Sequence, residues 1–196
     1  GVFSDNVDAG TARLTVTAGE AGNYSFAPAE KTFTIHPRPL AAAWENRDSW
    51  VYDGLPHAPA ATAETGVAGE IVKLAVSGAE SDAGTGYTAA AGIAFVTGGR
   101  AKAENYTLTN AAKDFAIAQR PAVLTWSGWD HLVYTGSPVN VTAAVTNLAD
   151  GDECAVTVAG GGRTDAGTGY TATATALSNP NYKLEGGAAQ EYTIAR

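Results

Sequence analysis

The chain has 196 residues and a mass of 19.9 kDa, which is enough for one or two domains. Its formal net charge of −8 excludes the basic surface that binds a phosphate backbone or an anionic membrane, so we expect no nucleic-acid partner and no membrane insertion in this segment. Hydrophobic residues make up 45% of the chain, which excludes a disordered acidic tail.

A repeated order of short motifs divides the chain into three parts. The string D-A-G-T occurs three times, and each time an N-Y pair and a segment ending in Ile follow it. This order predicts that residues 1–38 are the C-terminal half of one repeat, and that 39–120 and 121–196 are complete repeats. The strings begin at Asp8, Asp82 and Asp165, and the pairs begin at Asn23, Asn105 and Asn181.

The last repeat shows the two-residue periodicity of strands with one buried face. Glycine-, proline- and asparagine-rich turns separate its apolar segments. We therefore predict an all-β fold in which each complete repeat is an immunoglobulin-like β-sandwich. The alternative is a β-grasp-like unit with one short helix, for which only Glu64–Leu74 offers room. The predicted strands of the last repeat are 122–126, 132–134, 139–143, 155–158, 171–176, 182–184 and 191–195.

The string D-A-G-T-G-Y predicts a tyrosine corner, in which a tyrosine hydroxyl bonds back to the upstream backbone. Tyr87 and Tyr170 are placed for this contact. We expect Gly84 and Gly167 to supply positive-φ turn positions. The other predicted core residues are the alanines two positions after each tyrosine and the tryptophans that fill the space beside them: Ala89, Ala172, Trp44 and Trp126.

The full motif order resembles the MBG and YDG-type repeats of large bacterial surface proteins and adhesins. It consists of Y-D-G or Y-T-G, then D-A-G-T-x-Y, then N-Y, then F-x-I or Y-T-I, and R-P. The resemblance covers essentially the whole chain, with residues 1–38 as a partial copy. It implies a fragment of a larger extracellular protein on the bacterial cell surface, and a repetitive all-β stalk or adhesive array. It carries over no catalytic residue.

The residue types needed for metal binding or catalysis are sparse. The single cysteine, Cys154, excludes an intramolecular disulfide and a thiolate cluster. The three histidines occupy non-equivalent positions in the repeats, and no G-x-S-x-G, P-loop or H-E-x-x-H string occurs. We therefore expect no metal, no cofactor and no enzymatic activity.

Candidate binding residues are those that only one repeat has. Trp50 and Trp129 could each stack on a sugar ring or a partner surface if exposed. The middle repeat also carries about seven extra residues within Gly92–Glu104, including the basic residues Arg100 and Lys102. Such an insert at the tip of a sandwich is a candidate contact site.

Two functions fit these observations. In the first, the repeats form a monomeric rod that acts as a stalk or spacer and has an adhesive role in addition. In the second, the repeats bind host glycans or a matrix or mucin protein directly, with avidity from repetition.

Overall fold

The computed structural model describes residues 1–99, 101–186 and 188–196, and the backbone alone of Ala21. Regular structure in these ranges is β throughout, apart from one 3₁₀ turn at Ala103–Asn105. The predicted all-β class is confirmed. Among the described residues, we find no helix long and apolar enough to cross a membrane.

Strands follow one another with short turns along the whole chain. The partial copy forms β1 (Val2–Ser4), β2 (Gly10–Val16), β3 (Gly19–Ala21), β4 (Tyr24–Phe26) and β5 (Ala29–Ile35). The middle copy forms β6 (Arg38–Ala41), β7 (Ala43–Trp44), β8 (Ser49–Val51), β9 (Ala61–Thr62), β10 (Ile71–Ser77), β11 (Gly84–Thr97), β12 (Tyr106–Thr109) and β13 (Ala112–Ala118). The last copy forms β14 (Arg120–Pro121), β15 (Leu124–Ser127), β16 (Leu132–Val133), β17 (Thr142–Val145), β18 (Val156–Ala159), β19 (Gly167–Leu177), β20 (Tyr182–Lys183) and β21 (Ala189–Ala195). Strands β15 to β21 correspond one to one with the seven predicted in this copy.

Contacts divide the chain into two compact units. Unit 1 comprises Gly1–Arg47, Ala58–Gly78 and Thr88–Asp114, and unit 2 comprises Asp48–His57, Ala79–Tyr87 and Phe115–Arg196. Unit 1 holds the antiparallel sheet β1-β2-β5, the antiparallel pairs β3-β4, β7-β9 and β10-β11, and the parallel pair β6-β12. Unit 2 holds the sheet β16-β21-β19-β18, the antiparallel pair β15-β17, and the parallel pairs β8-β13 and β14-β20. The repeat boundaries at 38/39 and 120/121 stay predictions.

The strand pairing of the middle copy recurs in the last copy. The parallel pair β6-β12 corresponds to β14-β20, and β8-β13 corresponds to β16-β21. The antiparallel pair β10-β11 corresponds to β18-β19. In β7-β9 and β15-β17 even the register is the same, because Trp44 pairs with Ala61 and Trp126 pairs with Ala143. The sequence repeat is therefore also a repeat of strand pairing.

The core of unit 2 lies on the inner face of its four-stranded sheet. Val141, Ala172, Tyr192 and Ile194 are buried together, and Trp126 packs against them. Because Ala172 leaves space on strand β19, the large indole fills it, as predicted. Ala172 and its equivalent in unit 1, Ala89, are both completely buried.

Both predicted tyrosine corners are confirmed, but their glycines act differently from the prediction. The Tyr87 hydroxyl donates to the carbonyl of Asp82, and the Tyr170 hydroxyl to that of Asp165, each at 3.1 Å. The expected positive φ at Gly167 is wrong, since the positive φ of +72° falls at Gly169. A Cβ at Gly167 would instead lie 2.7 Å from the Tyr170 hydroxyl oxygen, so close approach of the tyrosine demands glycine there.

Gly84 and Gly86 repeat this arrangement in the middle copy. The expected positive φ at Gly84 is also wrong, because Gly86 has φ +76° and a Cβ at Gly84 would collide with the Tyr87 hydroxyl. In each string, the first glycine is therefore required by the close approach of the tyrosine, and the second by its positive φ.

The segment offered for a β-grasp helix, Glu64–Leu74, contains no helix. The Thr65 hydroxyl donates to the carbonyl of Glu70 at 3.1 Å and accepts the N–H of Val67 at 3.2 Å. Gly66 and Gly69 have positive φ, which a right-handed helix does not allow. The Thr65 side chain stabilises this loop through hydrogen bonds to its backbone. Together with the two glycines, these bonds lead the chain from the loop into β10 without a helix.

Candidate functional site: the Asp–Asn junctions

In unit 2, an asparagine of the last copy holds the start of the D-A-G-T string of the middle copy. The Asn181 side-chain carbonyl accepts the N–H of Ala83 at 2.7 Å, and its amide donates to a carboxylate oxygen of Asp82 at 2.9 Å. Asn181 is 8% exposed, and its own N–H donates to the Asn179 side chain at 3.0 Å. The backbone of Asn181 is thus held by its own loop, and both polar atoms of its side chain are satisfied.

Unit 1 contains the same contact between the partial copy and the middle copy. The Asn105 side-chain carbonyl accepts the N–H of Ala9 at 2.7 Å, and its amide donates to Asp8 at 2.9 Å. We call each such set, an Asp–Ala peptide and the asparagine of the following copy, an Asp–Asn junction. Two junctions with equal distances arise because the D-A-G-T string and the N-Y pair both recur.

Lys102, a predicted binding residue, belongs to the unit 1 junction. Its ammonium contacts the second carboxylate oxygen of Asp8, and this hydrogen bond and charge raise the pKa of Lys102. The structure thus places Lys102 on a carboxylate of the same chain, where its ammonium helps neutralise the junction. Arg100, its predicted partner in the insert, lies outside the described residues.

Two tyrosines and a carboxylate adjoin the junction of unit 2. The hydroxyls of Tyr52 and Tyr182 donate to the Asp152 carboxylate at 2.9 and 2.7 Å, and the two rings meet edge to face at 5.5 Å. Burial, together with the hydrogen bond and charge of Asp152, raises the pKa of Tyr52. Burial is also the largest cause of the raised pKa of Tyr182. Both hydroxyls therefore stay protonated and act as donors at neutral pH.

The corresponding residues in unit 1 are Tyr106 and Glu70. The Tyr106 hydroxyl donates to the Glu70 carboxylate, and this hydrogen bond is the largest cause of the raised pKa of Tyr106. A cavity of about 260 Å³ lies beside them and is also lined by Ala9, Ile35 and Asn105. In unit 2, the side chain of Tyr52 occupies the place next to the equivalent tyrosine and carboxylate.

Trp50, another predicted binding residue, lies in the core of unit 2. It is 6% exposed, stacks on His57 at 5.4 Å, and meets Phe115 edge to face at 5.7 Å. His57 in turn contacts Asp53 at 2.8 Å. Packed in this way, Trp50 offers no open ring face to a sugar, and its place is that of a core residue.

Trp129 is more accessible and borders a surface depression of about 410 Å³ in unit 2. It is 38% exposed. Asp130, His131 and Glu191 line the same depression, together with Tyr192. An indole beside carboxylates and an imidazole can stack on a sugar ring and bond its hydroxyls.

The polar groups at the junctions bind other parts of the same chain. Among the residues that the structure describes, no three His, Cys, Asp or Glu side chains are grouped to hold a metal ion. Amide-to-carboxylate hydrogen bonds of this kind hold two segments of the chain together. Sequence reasoning identified both motifs as features of the fold but missed their pairing, because the partners of a junction lie 97 and 99 residues apart.

The chain was compared with protein-family models, curated proteins and solved structures, and none of them matched.

Proposed function

We propose that the chain is a non-enzymatic spacer segment of a bacterial surface protein, built from immunoglobulin-like repeats that stack in series outside the cell. The resemblance of its motif order to MBG and YDG-type repeats supports this location and architecture. The observation that carries the proposal is the recurrence of the Asp–Asn junction with the same distances in both units. Because this contact is present both between the partial and middle copies and between the middle and last copies, its role is to link successive copies.

Three features suit such a junction to a spacer. The asparagine satisfies both a backbone N–H and a carboxylate, so few polar groups remain unpaired when the copies meet. The chain passes between copies through Arg38-Pro39 and Arg120-Pro121, where proline restricts its own dihedral and that of the preceding residue. Stability of such an array is close to a sum over repeats and their interfaces, so copies can be added without redesign.

Small-angle scattering tests the spacer role. Chains that carry one and two additional copies of residues 120–196 are compared with the present chain, and each copy is expected to add the same increment to the maximum dimension. The Asn105→Ala/Asn181→Ala variant serves as the control, because it keeps the linkers and removes both junctions, and should broaden the distance distribution. Increments that shrink with each added copy would reject the spacer role.

The Trp129 depression supports an adhesive role for the last copy, directed at host glycans or at a mucin or matrix protein. Binding to a glycan and mucin array is expected to be lost in Trp129→Ala. The matched control is Phe95→Ala, which removes an exposed aromatic ring from unit 1. Equal binding by the Trp129→Ala variant and the unmodified chain would remove this role.

A further inference from the structure

Equivalent tyrosines of the middle and last copies differ sharply in exposure. Tyr52 is 5% exposed, whereas Tyr134, at the same place in the Y-D-G or Y-T-G motif, is 52% exposed. Tyr52 is covered by residues of the last copy, namely the Tyr182 ring and the Asp152 carboxylate. Tyr134 is thus the same residue type at the same motif position as Tyr52, but its ring is exposed.

The neighbouring junction positions differ in the same way. A Cβ on Gly54 would lie 3.2 Å from the Ala149 side chain, but one on the equivalent Gly136 would meet nothing within 4 Å. The side chains of Asp82 and the equivalent Asp165 are both exposed, but of these two carboxylates only that of Asp82 accepts an asparagine amide among the described residues. Tyr134, Gly136 and Asp165 thus correspond to three residues that contact the following copy, and the first two of them are more open than their equivalents Tyr52 and Gly54.

We propose that Tyr134, Gly136 and the Asp165–Ala166 peptide form a docking face for a further repeat of this same type. The incoming asparagine of an N-Y pair would accept the Ala166 N–H and donate to the Asp165 carboxylate. The incoming tyrosine would meet the edge of the Tyr134 ring, and a carboxylate like that of Asp152 would accept the Tyr134 hydroxyl. This face rests on the proposed stacking of repeats and names the residues that receive the next one.

The occupant is a repeat tethered to this chain and not a free second copy. The chain carries a net charge of −8, so two separate copies repel each other. A junction built from a few hydrogen bonds and one aromatic contact gives little affinity between separate molecules. A covalent tether raises the effective concentration to about the millimolar range, which makes the same contacts sufficient.

The test appends a second copy of residues 120–196 directly after Arg196. The new connection then reads Arg-Arg-Pro, in place of Gln119-Arg120-Pro121 in the present chain. Amide exchange of Ala166 is expected to slow on the order of tenfold in the extended chain, because its N–H gains a partner. Nitration of Tyr134 is expected to fall to the level of Tyr52, and the Ala83 amide serves as an internal reference that is protected in both chains.

Substitutions separate docking from a general effect of chain length. Asp165→Ala should lower the denaturation midpoint of the extended chain and leave that of the present chain unchanged. Asp150→Ala, which removes an exposed carboxylate outside the face, should change neither. Equal Ala166 exchange in both chains would overturn the docking face. An appended copy that fails to fold would overturn it too, because residues 120–196 of the present chain are folded and make the same kind of junction with the preceding copy. Protected Ala166 with scattering increments that shrink would reject the spacer role and keep the docking face.

Discussion

The Asn181 amide donates a 2.9 Å hydrogen bond to the carboxylate of Asp82, which lies 99 residues earlier in the chain. Asn105 and Asp8 make the same contact at the same distance. Each asparagine follows a strand-connecting loop of its own copy, and each aspartate begins the D-A-G-T string of the preceding copy. Residues shared by the copies therefore have two roles here, since they shape a repeat and also join it to the next.

Replacing Asn181 tests how much one junction contributes. In Asn181→Ala the Ala83 N–H loses its partner in a partly buried place, and the loss is expected to cost about 1–3 kcal/mol of unfolding free energy. Urea denaturation followed by tryptophan fluorescence measures the change. The control is Asn140→Ala in the same unit, at an exposed asparagine, with an expected change within about 0.5 kcal/mol. Equal effects of the two substitutions would contradict a stabilising junction.

The glycine that opens strand β19 is expected to tolerate no side chain. In Gly167→Ala the new methyl group would approach the Tyr170 hydroxyl and break its 3.1 Å bond to Asp165, at a cost of about 1–3 kcal/mol. Gly186→Ala is the matched control, because a Cβ there meets nothing within 4 Å and φ is not positive. Thermal denaturation of both variants measures the effect. The melting temperature is expected to fall in Gly167→Ala and to stay unchanged in Gly186→Ala.

Much of the fold could be predicted because its signals are local and repeated. The seven strands of the last copy follow from two-residue periodicity and turn residues, and the tyrosine corners from the D-A-G-T-G-Y string. The roles of Gly167 and Gly169 were less accessible, because the string has two glycines and only the coordinates show which one faces the Tyr170 ring. The absence of a helix at Glu64–Leu74 depends on the Thr65 hydroxyl bonding its own loop.

The two tryptophans that only one copy has are expected to respond oppositely to truncation. Trp50→Ala removes a buried ring from between His57 and Phe115 and should cost about 3–5 kcal/mol. Trp129→Ala removes a partly exposed ring and should change stability by less than about 1 kcal/mol. Denaturation midpoints of the two variants measure this contrast, and comparable losses would show that Trp129 is also a core residue.

The candidate site was less predictable than the fold because its partners come from different copies. Comparing copies sorted residues into shared and unshared, and the unshared set gave Trp50, Trp129, Arg100 and Lys102. Trp50 shows the weakness of that rule, since an unshared residue can still be buried by neighbours of its own unit. The better signal is that every copy has both an aspartate, in the D-A-G-T string, and an asparagine, in the N-Y pair. A carboxylate and an amide can bind each other, so these shared residues are candidates for hydrogen bonds between successive copies.

Alkaline pH is expected to weaken unit 2 through its buried tyrosines. The pKa values of Tyr52 and Tyr182 are raised by burial first, so the folded state binds these protons more tightly than the unfolded state does. Their stabilising effect is therefore complete below about pH 10, the ordinary tyrosine value, and is lost as the pH rises through the raised values. Tyrosinate absorbance, recorded as the pH is raised above about 10, measures the ionisation of the tyrosines. Urea denaturation at the same pH values measures the loss of stability.

Asp152→Asn provides the control for that titration. The hydrogen bond and charge of Asp152 also raise the pKa of both tyrosines, so this variant should titrate earlier at Tyr52 and Tyr182. Tyr106, whose pKa is raised chiefly by Glu70, should be unaffected. A titration that stays the same in Asp152→Asn would show that the carboxylate does not act on these hydroxyls.

The central claim is that the shared aspartate and asparagine of successive copies bind each other, and a double-mutant cycle tests it most directly. Unfolding free energies are measured for Asp82→Ala, Asn181→Ala and the double variant. If the two side chains interact as the 2.9 Å contact indicates, the double variant should lose less than the sum of the single losses, with a coupling of about 0.5–3 kcal/mol. Strictly additive losses would contradict the junction, because two side chains without contact contribute independently.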